Sequence, residues 1–407
     1  MTRVQRKSLI AICIFSSMVM ISAMTGSLMA YIYESYPTLP VTTVQLVMAL
    51  PALIGIFSSF ASGSLALKYS KKNLLLICAV TNLFYFVVFA VFGVSGPFWI
   101  LLAAAGISGI SRGASVTLMN LLISDFMGPE RSASYMAVIG AVLQAGAAIA
   151  GVLGGLIGAV GDGAYWNYAF YLGILIIPSM IIFAKLMPKS PENAAASIGG
   201  HKNNSATAPA GGSRIPAKVY FVGVLLVLYF ISASAYLLNI SFYIISENEL
   251  GTSADAGFVN FVCTAMGVFV GIFYNRFAKL FKSWNMPICY FLTAVSFAIL
   301  IIFSNNIIGA YVASLLLGIG FSLTVPYNTV YFVKITPPKL MPIAVAFVSG
   351  SMNLGMFVAP MVLNSIGEML GSGTDGIFKL AAAIALICTI GSIFIFPMSE
   401  KRNSVAI

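Results

Sequence analysis

Twelve long apolar segments constrain this chain more than any other feature of its sequence. A helix needs about 20 mainly apolar residues to cross the hydrocarbon core of a bilayer. Only 8% of the residues are charged, whereas an average soluble domain has roughly 25%. The sequence therefore predicts an all-α membrane protein with twelve transmembrane helices. The segments lie at 9–33, 42–66, 73–94, 97–122, 133–159, 166–187, 219–245, 253–274, 285–303, 307–333, 341–366 and 376–397.

The stretch between the sixth and seventh segments differs in composition from the rest of the chain. Residues 188–217 are rich in Ser, Ala, Gly, Pro and Asn, which is typical of a flexible linker. We therefore predict a six-helix bundle at 1–187, a linker at 188–217 and a second six-helix bundle at 218–407. The first apolar segment exceeds the roughly 7–15 residues of a secretory signal core, so we expect it to be retained.

Basic residues cluster at alternate ends of the segments. With the N-terminus in the cytoplasm, every Lys and Arg except Arg112 and Lys379 falls on the cytoplasmic side, as the positive-inside rule requires. This distribution explains the net charge of +10 without a nucleic-acid partner. We predict a multi-pass protein of the plasma or inner membrane, with both termini and the linker in the cytoplasm.

The two halves of the sequence align with each other. An offset of 209 residues places Gly109 on Gly318 and Gln144 on Asn353, in equivalent segments. Paired six-helix halves are the arrangement of carriers that bind their substrate near the bilayer midplane, between the halves. The repeat therefore predicts a central site between two bundles.

The loop after the second segment carries a family signature. Its sequence GSLALKYSKK, residues 63–72, resembles the signature loop of the major facilitator superfamily. Gly63, Lys68 and Lys71 fit the pattern, whereas Leu67 stands where the family has an acidic residue. The resemblance implies two bundles that rock about the central site, the mechanism known as rocker-switch alternating access.

The resemblance also implies gate residues at the segment ends. Beyond the signature loop, Asp125 and Arg131 resemble a charged cluster at the cytoplasmic end of the fourth segment. Ordinary solvated loop ends and lipid anchoring are the alternatives for these charges. The residues that we assign to gating or coupling are Glu34, Gly63, Lys68, Lys71, Asp125, Arg131 and Arg276.

Arg112 lies in the middle of the fourth segment, where placing a charge in the bilayer has a high free-energy cost. Its guanidinium stays protonated at physiological pH, and a charge at this depth costs roughly 2.5 kcal/mol or more. In the superfamily the fourth segment lines the central cavity. Because no Asp or Glu lies mid-segment anywhere in the chain, such a cavity is net positive and favours a carboxylate. The alternative is a structural arginine satisfied by helix carbonyls or by gate residues near Asp125.

Several uncharged polar residues also lie within the apolar segments. Gln144 and Asn353 are repeat mates near the middle of the fifth and eleventh segments. Hydrogen bonding between helices is the alternative role for each of them. The residues that we predict to contact substrate are Arg112, Gln144, Asn353, Tyr31, Tyr236, Asn239 and Asn328.

These observations favour a secondary active or facilitative transporter of a small organic anion. The chain has no cluster of His, Asp, Glu and Cys at one membrane face and no GxxxxGK[ST] phosphate loop, so we predict neither an enzyme nor an ATP-driven pump. The alternative is a proton-driven exporter of drugs or other amphipathic or cationic compounds. We expect a monomer without cofactor or metal, whose partners are the bilayer, the substrate and a proton or counter-anion.

Overall fold

The structure is a computed structural model, and it describes residues 3–66, 68–127, 129–187, 217–336 and 341–396. Within these ranges no residue belongs to a β-strand, and twelve helices are long and apolar enough to cross a membrane. The predicted fold class and number of spans are therefore confirmed. The predicted linker lies outside the described residues, apart from Ala217, at which a helix begins.

The N-terminal half contains spans 1 to 6. Spans 1 and 6 each combine a 3-10 segment with α-helix, whereas the other four are continuous α-helices. The elements are span 1 (helix Arg3–Val19, 3-10 segment Ile21–Leu28 and helix Met29–Glu34), span 2 (Val41–Leu65), span 3 (Lys71–Phe92), span 4 (Phe98–Met127), span 5 (Pro129–Gly158) and span 6 (3-10 segment Trp166–Leu175 and helix Ile176–Leu186).

The C-terminal half contains spans 7 to 12 and one additional short helix between spans 8 and 9. The elements are span 7 (Ala217–Phe242, continued by π-helical Tyr243–Glu247), span 8 (Ser253–Ile272), the short helix Tyr274–Phe281 with the 3-10 turn Lys282–Trp284, span 9 (Asn285–Ile302), span 10 (Ile307–Ile335), span 11 (Met341–Gly367) and span 12 (Gly373–Ile395).

Successive spans run in opposite directions, so the connections alternate between two ends of the molecule. We call the end that holds residues 187 and 217 the linker end. The opposite end, with the connections 35–40 and 248–252, is the distal end.

Polar side chains cap helices at the distal end. Thr252 and Asp255 form a capping box at the start of span 8, where the carboxylate accepts the Thr252 N–H at 2.8 Å. Both carboxylate oxygens of Glu247 accept the N–H of Thr374 at 2.9 Å, so a residue at the end of span 7 caps span 12. Orphan N–H groups at a helix start carry partial positive charge, which is why a carboxylate is stabilising there.

Each half has an apolar core of its own. In the N-terminal half, the rings of Phe89 and Phe170 stack at a centroid distance of 4.7 Å. In the C-terminal half, Tyr229 and Tyr290 pack at 4.6 Å. The halves contact each other mainly where span 2 meets span 11 and where span 5 meets span 8. The molecule is thus two six-helix bundles that contact each other along these two pairs of spans.

Glycines permit the closest approaches between helices. A Cβ on Gly257 of span 8 would lie 2.6 Å from the carbonyl oxygen of Gly151 on span 5. A Cβ on Gly113 of span 4 would overlap the carbonyl oxygen of Gly55 on span 2 and lie 2.7 Å from its Cα. Small residues at such crossings let backbones touch, which drives association in lipid.

We predict that Gly113→Ala destabilises the protein by about 1–3 kcal/mol, because the added methyl group meets backbone that cannot move aside. Thermal unfolding of purified protein in detergent measures the change. Gly140→Ala is the matched control, since a Cβ there would meet nothing within 4 Å. Equal unfolding midpoints for the two variants would contradict the close packing of spans 2 and 4.

Candidate functional site

Hydrogen bonds join the two halves at the distal end. The Ser241 hydroxyl of span 7 donates to the carbonyl of Ser27 at 3.0 Å and accepts the N–H of Ala30 at 3.3 Å. The Ser253 hydroxyl of span 8 donates to the carbonyl of Gly155 at 2.7 Å. All of these hydroxyls are buried. Backbone groups of spans 1 and 5 are therefore tied directly to spans 7 and 8.

A cluster of buried amides reinforces this distal seam. The amide nitrogen of Gln45 on span 2 donates to Asn239 Oδ1 on span 7 at 2.9 Å. The amide nitrogen of Asn364 on span 11 donates to Gln45 Oε1 at 2.8 Å and to Thr42 Oγ1 at 3.0 Å. We call Gln45, Asn239 and Asn364 the amide cluster. Sequence reasoning missed Gln45 and Asn364, whose partners lie on the other half of the molecule.

The described contacts between halves are unevenly distributed along the membrane normal. Among the described residues, the hydrogen bonds between halves lie in the distal part of the spans, except for one contact of Arg112 at mid-depth. The ring pair that spans the halves, Tyr33 and Phe242, is also distal. In the described part of the chain, the halves are thus closed against each other at the distal end.

Arg112 lies at the middle of span 4 and points toward the other half. Its guanidinium is partly buried and contacts the Met356 thioether of span 11 at 3.8 Å. Within the described residues no carboxylate lies within ion-pair distance of it. A thioether is only a weak acceptor. Among the described residues, no carboxylate therefore balances the charge of Arg112.

Asp125, the predicted alternative partner of Arg112, is engaged elsewhere. Its Oδ2 forms an ion pair with Lys71 Nζ at 2.5 Å, and both side chains are largely buried. This pair joins the start of span 3 to the end of span 4 within the N-terminal half. Lys72 likewise donates to the carbonyls of Ala184 and Met187 at the end of span 6. Lys71 and Lys72 of the signature loop thus link spans 3, 4 and 6 at the linker end of the N-terminal bundle.

Gln144 approaches the C-terminal half near the middle of span 5, at a second place besides the contact of Arg112. A Cβ on Gly267 of span 8 would lie 3.6 Å from the Gln144 amide nitrogen and 2.5 Å from the Ser322 hydroxyl of span 10. Pro326 follows Ser322 by four residues and has no N–H, so the carbonyl of Ser322 lacks its helical donor. Sequence reasoning missed Gly267 and Ser322, although Pro326 was a visible signal.

The remaining residues predicted to contact substrate lie in three places. Asn353 donates to the carbonyl of Ser349 on its own helix, one turn from Met356 and Arg112. Asn239 belongs to the amide cluster, and Tyr31 lies at the distal seam with its ring against Gly163.

Tyr236 and Asn328 lie inside the C-terminal core and are fully buried. The Tyr236 hydroxyl is 2.6 Å from that of Ser314, and the Asn328 amide donates to the carbonyl of Thr324. The structure does not bring these two side chains together with Arg112. Substrate contact by either of them stays a prediction.

The predicted gate residues lie at both ends. Glu34 accepts a hydrogen bond from Ser246 at 3.2 Å across the distal seam. Lys68 is exposed, and the Arg276 guanidinium lies 5.4 Å above the ring of Phe273. A Cβ on Gly63 would meet nothing within 4 Å. The side chain of Arg131 lies outside the described residues.

Comparison with known proteins places this architecture in a family. A model of the Major Facilitator Superfamily matches residues 9–288 and 248–406. The quinolone resistance protein NorA of Staphylococcus aureus (strain MSSA476) is 25% identical over 329 residues, which are 80% of each chain.

Solved transporter structures share the fold across nearly the whole chain. The human organic anion transporter MFSD10 (TETRAN) matches with a TM-score of 0.66 at 15% identity, over 96% of this chain and 100% of that one. The nucleoside transporter NupG matches at 0.75 and 12%, over 97% and 99%. The peptide transporter POT in complex with sulfate matches at 0.76 and 10%, over 97% and 94%.

The matching family and the relatives of this chain are transporters, so the protein is a membrane transporter and not an enzyme. The family match covers most of the sequence. The chain belongs to the Major Facilitator Superfamily.

We predict that Gln45→Leu weakens the distal seam, because it leaves Asn239 and Asn364 without their shared partner. Each lost neutral hydrogen bond costs about 0.5–1.5 kcal/mol, so the distal end should open more often. Spin labels at Thr38→Cys and Glu249→Cys, with the five native cysteines replaced, report the distance across that end. A population of longer distances is expected.

Asn167→Leu is the matched control for this experiment. Its amide donates to the carbonyl of Ala90 within the N-terminal half, so its loss should not change the distance between labels. Identical distance distributions for both variants would refute the assignment of the amide cluster to closure.

Proposed function

We propose that this protein carries a small organic anion across a cell membrane by rocker-switch alternating access. The observation that supports this proposal is the guanidinium of Arg112 at the middle of span 4, which no described carboxylate balances. Gln144 and Asn353 complete the proposed site, and Tyr31 and Asn239 lie on its distal side. The rocking bodies are residues 1–187 and 218–407, joined by the linker 188–217.

The electrostatics of Arg112 favour an anionic substrate. An isolated charge at mid-membrane costs several kcal/mol unless water or a counter-charge compensates it. The carboxylates of the described spans lie near the helix ends, so the protein supplies none at this depth. A planar guanidinium can grip a carboxylate with two parallel hydrogen bonds. Substrate binding therefore removes an existing penalty, whereas a cation would add to it.

The orientation follows from the basic residues. The linker end carries almost all Lys and Arg residues, which makes it the cytoplasmic end under the positive-inside rule. The hydrogen-bonded distal seam then closes the external side of the proposed site. Glu34 acts in this seam, and Lys71 with Asp125 holds the cytoplasmic ends of spans 3 and 4 together.

The absence of an acid at mid-depth in the described spans favours facilitated diffusion or anion exchange. A proton bound to the substrate itself is the remaining coupling route. The proposed transporter acts as a monomer in the plasma or inner membrane.

Export of amphipathic drugs is a second candidate function. The 25% identity to the quinolone resistance protein NorA over 80% of both chains favours it. The two candidates differ in their dependence on Arg112. Cationic substrates gain nothing from that guanidinium, whereas carboxylates require it.

We predict that Arg112→Ala weakens binding of stabilising carboxylates at least 10-fold, since hydrogen bonds to charged groups contribute about 1.5–3 kcal/mol each. Purified protein is first screened for thermal stabilisation by organic carboxylates and by lipophilic cations such as ethidium. Uptake of a stabilising carboxylate into proteoliposomes is then measured. Arg112→Lys should retain part of the affinity, because lysine keeps the positive charge but cannot donate two parallel hydrogen bonds from a planar group.

Lys379→Gln is the control for loss of a positive charge. Lys379 is exposed and paired with Asp375 on the same helix turn, so uptake should equal that of the wild type. Stabilisation by cations alone, unaffected by Arg112→Ala, would refute the anion carrier and favour the drug exporter.

A further inference from the structure

Gln144 and Ser322 approach each other from opposite halves beside a glycine. Gln144 belongs to span 5 of one half, whereas Gly267 and Ser322 belong to spans 8 and 10 of the other. A methyl group at position 267 would lie 2.5 Å from the Ser322 hydroxyl and 3.6 Å from the Gln144 amide nitrogen. Both polar groups therefore border the same small volume.

The groups around this volume are not used by the protein. Among the described residues, neither the Gln144 amide nor the Ser322 hydroxyl forms a hydrogen bond, and both side chains are partly accessible. Most serines in the spans behave differently. For example, Ser314 and Ser392 each donate to a carbonyl of the preceding turn.

The backbone of span 10 has a further polar group without its helical partner at Ser322. Pro326 removes the hydrogen bond that the carbonyl of Ser322 would accept within span 10. Freed backbone groups at membrane depth are tolerated where they line a polar cavity. On span 8, Asn260 lies seven residues before Gly267, on the same helix face, and its buried Oδ1 has no partner in the described part of the chain.

We propose that Gln144, Gly267 and Ser322 form a second subsite, which binds an uncharged group able both to donate and to accept a hydrogen bond. A hydroxyl is the simplest such group. Its oxygen accepts from the Gln144 amide, and its proton goes to an oxygen of Ser322. The substrate class is therefore a hydroxylated carboxylate. This inference rests on the proposed function, in which Arg112 holds the carboxylate.

A ligand bound at the subsite would also contact both halves of the protein. Gln144 and Ser322 belong to different halves, and Arg112 and Met356 are a second pair of residues that meet across the same two halves. A hydroxylated anion bridges both pairs, whereas a plain carboxylate engages one. The hydroxylated ligand thus draws the bundles together at mid-depth.

Matched pairs of ligands test the subsite. Dissociation constants are measured on the purified full chain for mandelate against phenylacetate, 3-hydroxybutyrate against butyrate, and phenyllactate against 3-phenylpropionate. One neutral hydrogen bond contributes about 0.5–1.5 kcal/mol, which corresponds to a preference of about 2- to 10-fold for the hydroxylated member. The wild type should show this preference in at least one pair.

Substitutions in the subsite should remove the preference. Ser322→Ala and Gly267→Ala are each expected to bring the ratio near 1 while the plain carboxylate keeps its affinity. Gln144→Leu should also bring the ratio near 1. Ser392→Ala is the matched control, because this buried serine bonds within span 12, and it should keep the wild-type ratio. Unfolding midpoints without ligand show whether each variant is folded.

The outcomes separate the two proposals. Carboxylate binding that depends on Arg112 but shows no hydroxyl preference in any pair would overturn the subsite alone. A preference that persists in folded Ser322→Ala and Gln144→Leu proteins would also overturn it. Absence of carboxylate binding altogether would overturn the anion carrier and the subsite with it.

Discussion

The hydrocarbon core of the bilayer is the constraint on which this structure depends. It offers no hydrogen bonds to the backbone and no hydrophobic drive for helices to associate. Helix contacts must therefore come from close backbone packing and from polar side chains. The glycine crossing of Gly151 with Gly257 and the amide cluster centred on Gln45 are the two solutions seen between the halves.

The strength of these contacts suits a reversible closure. The distal seam consists mainly of neutral hydrogen bonds, each of which contributes about 0.5–1.5 kcal/mol. A buried ion pair would leave an unpaired charge in lipid whenever the halves separated, at a cost of several kcal/mol. The described ion pair between largely buried side chains, Lys71 with Asp125, lies within one half, so separation of the halves would not break it. Strong interactions thus hold each bundle, and weaker ones join the two.

The sequence predicted what depends on local composition. The twelve spans follow from apolar length, and the mid-membrane charge of Arg112 is visible in any hydropathy reading. The amide cluster was not predictable as a unit, because Gln45 and Asn364 acquire meaning only from Asn239 on another helix. Ser322 was missed since a single serine in an apolar helix ordinarily bonds to its own preceding turn. Its hydroxyl lies beside Gly267 and Gln144, which only the fold brings together.

The contact between Gly113 and Gly55 has a consequence for the neighbouring Arg112. Backbone pressed against backbone prevents span 4 from turning about its own axis, because rotation would drive side chains into span 2. Consecutive helical residues differ by about 100° in direction, so fixing Gly113 also fixes the direction of Arg112. The crossing thus limits rotation of span 4 about its own axis, so it fixes the direction in which Arg112 leaves the helix within its own bundle.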